Sequence, residues 1–170
     1  MTPPSTTSAT GQAHAPVVEF VQRFSSTPRG ARLARRLLLH QLDAWGVVYG
    51  SEASETAAQL VAELAANAVT HGRVSGRDFE VGAEILDGAT LRIAVSDARG
   101  ELRPPAPGVP RSATPPLAEN GRGMLLVELL ADRWDVLDRP PVGKTVVAEL
   151  DLVPEPPPGS AYDTAGHSAC

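Results

Sequence analysis

The sequence predicts an α+β fold, a two-layer sandwich in which helices cover one face of a mostly antiparallel sheet. Apolar residues recur with a helical period in some segments and with a strand period in others, in the order strand, helix, helix, hairpin, helix, hairpin. These segments occupy residues 17–153, which we expect to form one folded domain. Residues 1–16 and 154–170 are rich in Pro, Ser, Thr and Ala, and we predict that both are disordered tails.

The first half of the domain is predicted to contain a strand and two helices. β-Branched and aromatic residues over 17–26 predict the strand. Pro28 favours a helix start because proline is tolerated in a first turn, and the helical period continues to about Ala44. Ser51 fits the N-cap of the second helix, and Gly72 fits the position just after its end. The apolar face of this second helix is formed by Ala53, Ala57, Leu60, Leu64 and Ala68.

A hairpin and a long connection follow the second helix. Residues 79–85 and 91–95 alternate between apolar and other positions on either side of Asp87-Gly88, a pair typical of tight hairpin turns. The connection 98–120 contains six prolines, so we predict neither a helix nor an inner strand there. A connection this long inside a compact domain is usually either a functional lid or disordered.

The last elements of the domain are predicted to be a short helix and a second hairpin. The apolar run over 124–131 predicts the helix. Residues 134–138 and 145–152 predict two strands around a loop at 139–144. These elements complete the expected sandwich of helices on one face of the sheet.

The composition limits the kinds of partner that the chain can have. A net charge of −5 and a pI of about 5.3 argue against the basic surface of a nucleic-acid-binding protein. Cys170 is the only cysteine, which excludes an internal disulfide and the usual structural zinc sites. No apolar run is long enough to span a bilayer, and the N-terminal residues lack a secretion signal. We therefore expect a cytoplasmic protein that contacts neither nucleic acid nor membrane directly.

Two polar residues lie at the edge of the apolar face of the second helix. Glu63 and Asn67 are four residues apart, so their side chains lie one above the other. Polar groups beside a core cost free energy unless a partner satisfies them. Asn67 offers a neutral oxygen suited to Mg²⁺, and Glu63 could orient or deprotonate a nucleophile one turn away. The alternative is a polar pair at the helix edge that bonds to loop backbone.

A carboxylate ends the strand pattern LRIAVSD. Asp97 stands there, at the start of the proline-rich connection, and Gly100 follows it closely. A carboxylate at a strand end that faces a pocket can accept a hydrogen bond from an exocyclic amine, such as that of adenine. The alternative is an aspartate that caps a turn, which is a common arrangement.

A glycine-rich segment opens the helix after the long connection. Gly121-Arg122-Gly123-Met124 stands where a helix begins. Glycines before a helix N-terminus let backbone N–H groups approach an anion, and the helix dipole favours phosphate there. Arg122 could add a charge-assisted contact. The alternative is a flexible hinge into the helix.

Together these motifs resemble the Bergerat-type ATP-binding fold of gyrase, Hsp90, histidine kinases and MutL-like proteins. Within that group, the chain is most similar to the stand-alone anti-sigma-factor serine kinases of bacterial sporulation and stress control. ELAANAVTHG resembles the N-box of that family, DARG a reduced first glycine box, and GRGMLLVELLADRWDV the second glycine box. The closing hairpin adds Gly143-Lys144-Thr145, and the resemblance extends over residues 17–152.

The resemblance implies ATP and Mg²⁺ as cofactors and a role for each matching residue. Asn67 would coordinate Mg²⁺, and Glu63 would be the general base toward a substrate serine. Asp97 would bind the adenine amino group, with Thr145 supporting hydrogen bonds on the adenine side. The glycines of the second box would donate backbone N–H groups to the phosphates from a closing lid. The residues assigned to nucleotide binding are Asn67, Asp97, Gly100, Gly121, Arg122, Gly123, Met124 and Thr145.

The resemblance implies a serine/threonine-protein kinase that phosphorylates an anti-sigma-factor antagonist, sequesters a sigma factor, or does both. It also implies a homodimer. The first glycine box of the family reads D-x-G-x-G, whereas here the glycine spacing is shifted and the second glycine is missing. This departure favours an alternative function, a non-catalytic module that binds its partner in a nucleotide-dependent way.

Overall fold

The predicted α+β sandwich with an antiparallel sheet is confirmed by a computed structural model of the chain. The structure describes residues 18–104, 106–108 and 122–152. The elements in chain order are β1 (Val18–Phe24), α1 (Pro28–Ala44), α2 (Glu52–Thr70), β2 (Phe79–Leu86), β3 (Thr90–Asp97), α3 (Arg122–Leu130), β4 (Arg133–Asp138) and β5 (Lys144–Asp151). The predicted tails and most of the predicted lid lie outside the described residues, so these assignments stay predictions.

The five strands form one sheet in the order β1-β2-β3-β5-β4, and every pair of neighbours is antiparallel. The predicted hairpin turn between β2 and β3 is present at Asp87-Gly88, where φ is 50° and 69°. Two successive positive φ angles suit the turn that matches the twist of a two-residue hairpin. The pairing of β3 with β5 sets Asp97 opposite Lys144 at the end of the ladder.

The three helices pack on one face of this sheet and enclose the core. α2 is the central helix because it contacts both α1 and α3 as well as β2, β3 and β5. Its predicted apolar face is buried, except that Ala53 is half-buried. Ser51 caps α2 as predicted, since its Oγ accepts a hydrogen bond from the backbone N–H of Ser54 at 3.3 Å. No helix within the described residues is long and apolar enough to cross a bilayer.

Two element boundaries differ from the sequence prediction. α3 begins at Arg122, two residues before the predicted start at 124. β5 begins at Lys144, which the sequence analysis had assigned to the preceding loop. A buried strand position is unusual for a charged residue, but Lys144 is paired there with Asp97 and therefore stays ordered.

The face of the sheet away from the helices carries a network of ion pairs. Arg92 binds Glu84 at 3.2 Å and Glu149 at 2.7 Å, and Arg133 binds Glu149 at 2.8 Å and Asp151 at 2.5 Å. Hydrogen bonds from Arg133 hold the pKa of both Glu149 and Asp151 below their ordinary values of 4.5 and 3.8. These carboxyl groups therefore contribute stability in their ionised state.

Replacing Arg133 with glutamine is expected to lower the urea midpoint of unfolding slightly at pH 7, because exposed ion pairs contribute little. A lowered carboxyl pKa in the folded state stabilises the fold above the ordinary pKa values, and this contribution disappears as pH falls through the lowered values. The difference between parent and Arg133→Gln should therefore shrink below about pH 4. Urea unfolding from pH 7 down to pH 2 measures it, and a constant difference would contradict this expectation.

Candidate functional site

The two polar residues predicted on α2 lie beside the first turn of α3. Glu63 and Asn67 are one helical turn apart, and both lie against Gly123, the second residue of α3. A Cβ atom at Gly123 would stand 2.6 Å from Glu63 Oε2 and 3.7 Å from Asn67 Oδ1. The start of α3 therefore lies beside both side chains, and the structure brings three of the predicted site residues together.

The amide nitrogen of Asn67 is buried without a hydrogen-bond partner, although the residue as a whole is half-buried. Its Nδ2 is a buried polar atom with no hydrogen bond among the described residues, so the alternative of a bond to loop backbone finds no support there. An unpaired buried amide costs about 1–3 kcal/mol and needs an explanation in a folded protein. A half-turn of the amide exchanges its nitrogen and oxygen, so the same position can offer an acceptor. Asn67 thus fits a neutral oxygen ligand of Mg²⁺.

The described residues contain no cluster of three or more His, Cys, Asp and Glu side chains that could hold a metal ion. A divalent cation bound at Asn67 would therefore have few protein ligands. Mg²⁺ tolerates such a site because it keeps several waters and takes phosphate oxygens as further ligands. The donor set suits a magnesium ion that arrives with a phosphorylated ligand.

The predicted carboxylate at the end of β3 is buried, and only 4% of the surface of Asp97 is exposed. Its Oδ1 accepts hydrogen bonds from the backbone N–H of Arg99 and from Lys144 Nζ, both at 2.9 Å. Its Oδ2 lies 2.8 Å from the same Nζ. The bond from Arg99 is the turn-capping contact considered as an alternative, and it occupies only Oδ1.

Sequence reasoning assigned no role to Lys144. This residue is also 4% exposed, and its Nζ donates to the backbone carbonyl of Arg99 at 2.8 Å in addition to Asp97. Two signals in the sequence could have identified it. Lys144 is the only lysine of the chain, and it begins the strand that pairs with the end of β3.

Gly72 joins the end of α2 to Asp97. It follows the predicted end of the helix, where its N–H donates to the carbonyl of Asn67 at 3.2 Å, but its φ is not positive. A Cβ atom at Gly72 would stand 2.5 Å from Asp97 Cβ and closer still to the carboxyl group. Glycine is therefore needed at this position for the approach of Asp97, and not for a left-handed helix end.

Gly100, predicted as part of a reduced glycine box, packs tightly against the backbone of the β4–β5 turn. A Cβ atom at Gly100 would stand 2.8 Å from the carbonyl oxygen of Gly143. Gly143 itself has a φ of 116° and packs against the backbone of Asp97. Gly100 therefore lies beside the Asp97 cluster, where its contact is with protein backbone.

The structure places the side chain of Thr145 away from Asp97. Side chains alternate along β5, and since Lys144 points toward the helices beside Asp97, Thr145 points to the opposite face of the sheet. Its Oγ1 lies there 2.8 Å from Ser96 Oγ, with which it shares a hydrogen bond. The residue that supports Asp97 from β5 is Lys144, one position earlier.

The remaining predicted residues belong to the second glycine box. Gly121 lies outside the described residues, and Arg122 is the first residue of α3. The Met124 side chain is 7% exposed and belongs to the hydrophobic core, which leaves its backbone N–H for contact with a ligand. The nucleotide roles of these three residues stay predictions.

These features give the site two chemically different ends along the last turns of α2. At one end, Glu63, Asn67 and the N-terminus of α3 can take a cation together with an anion. At the other end, Gly72 adjoins Asp97, whose carboxylate can accept a hydrogen bond from an amine. Asn67 and Gly72 are separated by a rise of roughly 7 Å. An elongated ligand with a phosphate end and an amine-bearing end fits this arrangement.

Residues 24–150 match the family model described as the histidine kinase-like ATPase domain. A search of the curated proteins found no match. Among solved structures, the chain is similar to the crystal structure of the RsbU and RsbW domains of Rv1364c from Mycobacterium tuberculosis, with a TM-score of 0.54 and 17% identity. That similarity covers 77% of this chain and 31% of the other, so this chain spans about a third of the longer one, and the similarity shows the fold alone. Since the family match covers more than half of the sequence, the chain belongs to the histidine kinase-like ATPase domain family.

Proposed function

We propose that the chain is an ATP-binding serine/threonine-protein kinase of the anti-sigma-factor type. It would phosphorylate an anti-sigma-factor antagonist, sequester a sigma factor, or do both. The single observation that carries this proposal is the buried, unpaired amide nitrogen of Asn67 beside Glu63 and the N-terminus of α3. A metal ligand, a carboxylate and a helix N-terminus in contact are the groups that phosphoryl transfer from a nucleotide requires.

The two ends of the site match the two ends of Mg-ATP. Asn67 would hold the Mg²⁺, which neutralises charge on the triphosphate when it is bound. The backbone N–H groups at the start of α3 would bind the phosphates, since Gly123 lets this turn come close to Asn67. Asp97 would accept a hydrogen bond from the 6-amino group of adenine.

Glu63 would act on the protein substrate. Its carboxylate would accept the proton of the substrate hydroxyl as that oxygen bonds to the γ-phosphorus and ADP departs. The approach of Glu63 Oε2 to α3 supports this role, since the phosphates would bind at the same helix N-terminus. We further propose that the protein works in the cytoplasm as a homodimer, as the resemblance to anti-sigma-factor kinases implies.

Calorimetric titration with ATP tests the nucleotide part of the proposal. The protein is expected to bind ATP in the presence of Mg²⁺ and to bind it much more weakly when a chelator removes the metal. Absence of heat and of a shift in the unfolding midpoint at millimolar Mg-ATP would contradict the proposal, because a bound ligand stabilises the folded state.

Replacing Glu63 with glutamine tests the kinase part. Glutamine keeps the shape of the side chain but cannot take a proton, so phosphoryl transfer is expected to fall on the order of 10²-fold while Mg-ATP affinity stays near that of the parent. Transfer of radiolabel from ATP to a purified antagonist measures this. The matched control is Glu55→Gln, an exposed glutamate in the first turn of α2. A parent that binds ATP but labels no antagonist would contradict the kinase proposal alone.

A second function is favoured by the packing of Gly100. Because this glycine contacts the backbone of Gly143, it is less available to a nucleotide than a glycine in an open loop. The chain would then be a non-catalytic module in which ATP changes affinity for the partner protein. Capture of the sigma factor or antagonist with ATP, with ADP and without nucleotide tests this function. Equal capture in all three states would contradict nucleotide-dependent binding.

A further inference from the structure

A buried ion pair between Lys144 and Asp97 lies at the end of the site where the Asp97 carboxylate could accept a hydrogen bond from an amine. Lys144 is the only lysine among the 15 Lys and Arg residues of the chain, and it is 4% exposed. The ammonium group of lysine is compact, whereas the guanidinium group of arginine is a wide, planar fork. All the other Lys and Arg positions of the chain are arginines. The compact ammonium group therefore stands at the one position where two oxygens of Asp97 and the carbonyl of Arg99 lie close together.

The ammonium group of Lys144 is held against the carboxylate and the neighbouring backbone. Its Nζ donates hydrogen bonds to Asp97 Oδ1 at 2.9 Å and to the carbonyl of Arg99 at 2.8 Å. It also lies 2.8 Å from Asp97 Oδ2 in the same ion pair. Lys144 is therefore placed to act on a ligand through Asp97.

The two oxygens of Asp97 differ in their hydrogen bonds. A carboxylate offers about four lone-pair sites on its two oxygens. Oδ1 accepts from Arg99 N–H and from Lys144, whereas Oδ2 accepts no hydrogen bond among the described residues and lies 2.8 Å from Lys144 Nζ as part of the ion pair. Oδ2 is therefore the oxygen that can accept an N–H from a ligand.

We propose that Lys144 is a positioning residue that sets the base specificity of the nucleotide site, because it fixes the Asp97 carboxylate so that Oδ2 accepts a hydrogen bond from 6-amino purines and meets the carbonyl oxygen of 6-oxo purines, which it rejects. This role rests on the proposed binding of ATP. An ionised carboxylate pairs with the amino group of adenine. Facing the carbonyl oxygen of hypoxanthine, it would bring two acceptors together with no proton between them.

Removal of the ammonium group changes what Asp97 can offer. Without Lys144, the carboxyl group keeps only the hydrogen bond from Arg99 N–H to Oδ1, so it can turn and Oδ2 no longer has a fixed direction. A site without that fixed acceptor loses the contact that distinguishes the two kinds of purine. Discrimination between ATP and ITP, which differ at purine position 6, is therefore expected to depend on Lys144.

Calorimetric titrations with Mg-ATP and Mg-ITP test this role in the parent, Lys144→Met and Asp97→Asn. The parent is expected to prefer ATP by about a hundredfold or more, since sites built for a hydrogen bond reject ligands that lack it. In both variants this preference is expected to fall at least about tenfold, because Lys144→Met releases the carboxyl group from its fixed position and the amide of Asp97→Asn can either donate or accept. A purely structural role for Lys144 would weaken both nucleotides equally, and an unchanged ratio in Lys144→Met would overturn the proposed role.

If Lys144→Met does not fold, the Lys144→Arg variant decides the question, since it keeps the positive charge. It is expected to retain a preference for ATP at lower affinity, and a folded arginine variant that binds ITP as tightly as ATP would overturn the proposed role. A parent that binds ATP and ITP equally would overturn it while leaving ATP binding intact. A parent that binds neither would overturn the proposed ATP binding and this role together.

Discussion

Replacing Asn67 with alanine is expected to abolish magnesium-dependent ATP binding, with a loss of affinity on the order of 10³-fold or more. The amide is the proposed protein ligand of the metal, and its removal leaves the triphosphate without the charge-neutralising contact at the N-terminus of α3. Titration of the parent and Asn67→Ala with ATP, with and without Mg²⁺, measures the effect. The binding that remains in the variant should no longer respond to the metal.

The same substitution is expected to leave the fold intact and to raise its stability. Asn67 Nδ2 is buried without a hydrogen bond, so its removal relieves a desolvation cost of about 1–3 kcal/mol. Alanine is also the better helix former within α2, by up to about 0.7 kcal/mol. An increase in the urea midpoint of unfolding together with a loss of ATP binding would show that Asn67 serves ligand binding and not the stability of the fold.

Gln59→Ala is the matched control for this experiment. It removes an amide from the same helix at an exposed position, so it tests the change of residue type without the site. Its ATP affinity is expected to equal that of the parent. A fall in the stability of Asn67→Ala, with unchanged ATP binding, would mean that Asn67 serves the fold, and it would remove the main support for the nucleotide site.

The fold was predictable from the sequence because the apolar residues of most elements recur with a clear helical or strand period. α2 shows this best: its apolar face follows the helical repeat, and its start is marked by a serine cap that the structure confirms at Ser51. The hairpin at Asp87-Gly88 was predictable for a similar reason, since two positive φ angles select such residues. Each of these signals is local, so neighbouring residues contain all the information that the prediction needs.

The part of the site on α2 was also predictable, because helical geometry fixes which residues share a face. Glu63 and Asn67 had to lie together, at the edge of the buried stripe. The sequence does not show that the Asn67 amide nitrogen is buried or that it has no hydrogen-bond partner. Those facts depend on α3, whose close approach at Gly123 is set by a segment far along the chain.

The differences on the other side of the site arise from contacts that are distant in sequence. The role of Thr145 was implied by the family resemblance, but strand alternation turns its side chain to the far face. Lys144 was assigned to a loop, and lysine is rarely buried without a partner. Its partner Asp97 is 47 residues away, and only the pairing of β3 with β5 brings the two together.

Replacing Gly72 with alanine is expected to weaken ATP binding on the order of 10³-fold through the opposite end of the site. The added methyl group would overlap the side chain of Asp97, 2.5 Å from its Cβ. Asp97 cannot simply turn aside, because bonds from Lys144 and from the backbone of Arg99 hold its carboxyl group. The clash must therefore displace the carboxylate or push the end of α2 away from β3.

The stability of this variant is expected to fall, in contrast to Asn67→Ala. Displacing Asp97 strains a buried ion pair, and loosening such a pair costs up to about 3 kcal/mol. The matched control is Gly82→Ala on β2, where an added Cβ would meet its nearest neighbour at 3.7 Å, an ordinary contact. That control is expected to bind ATP as the parent does.

A probe of the phosphate end alone separates a local effect at Asp97 from general loss of structure. Tripolyphosphate with Mg²⁺ has no base, so its binding would depend on Asn67 and the start of α3 and not on Asp97. The folded Gly72→Ala protein is expected to bind tripolyphosphate like the parent while it has lost ATP, and Asn67→Ala is expected to lose both. If Gly72→Ala retained full ATP affinity, the base would have to bind elsewhere than at Asp97, and the two ends of the site would not belong to one nucleotide.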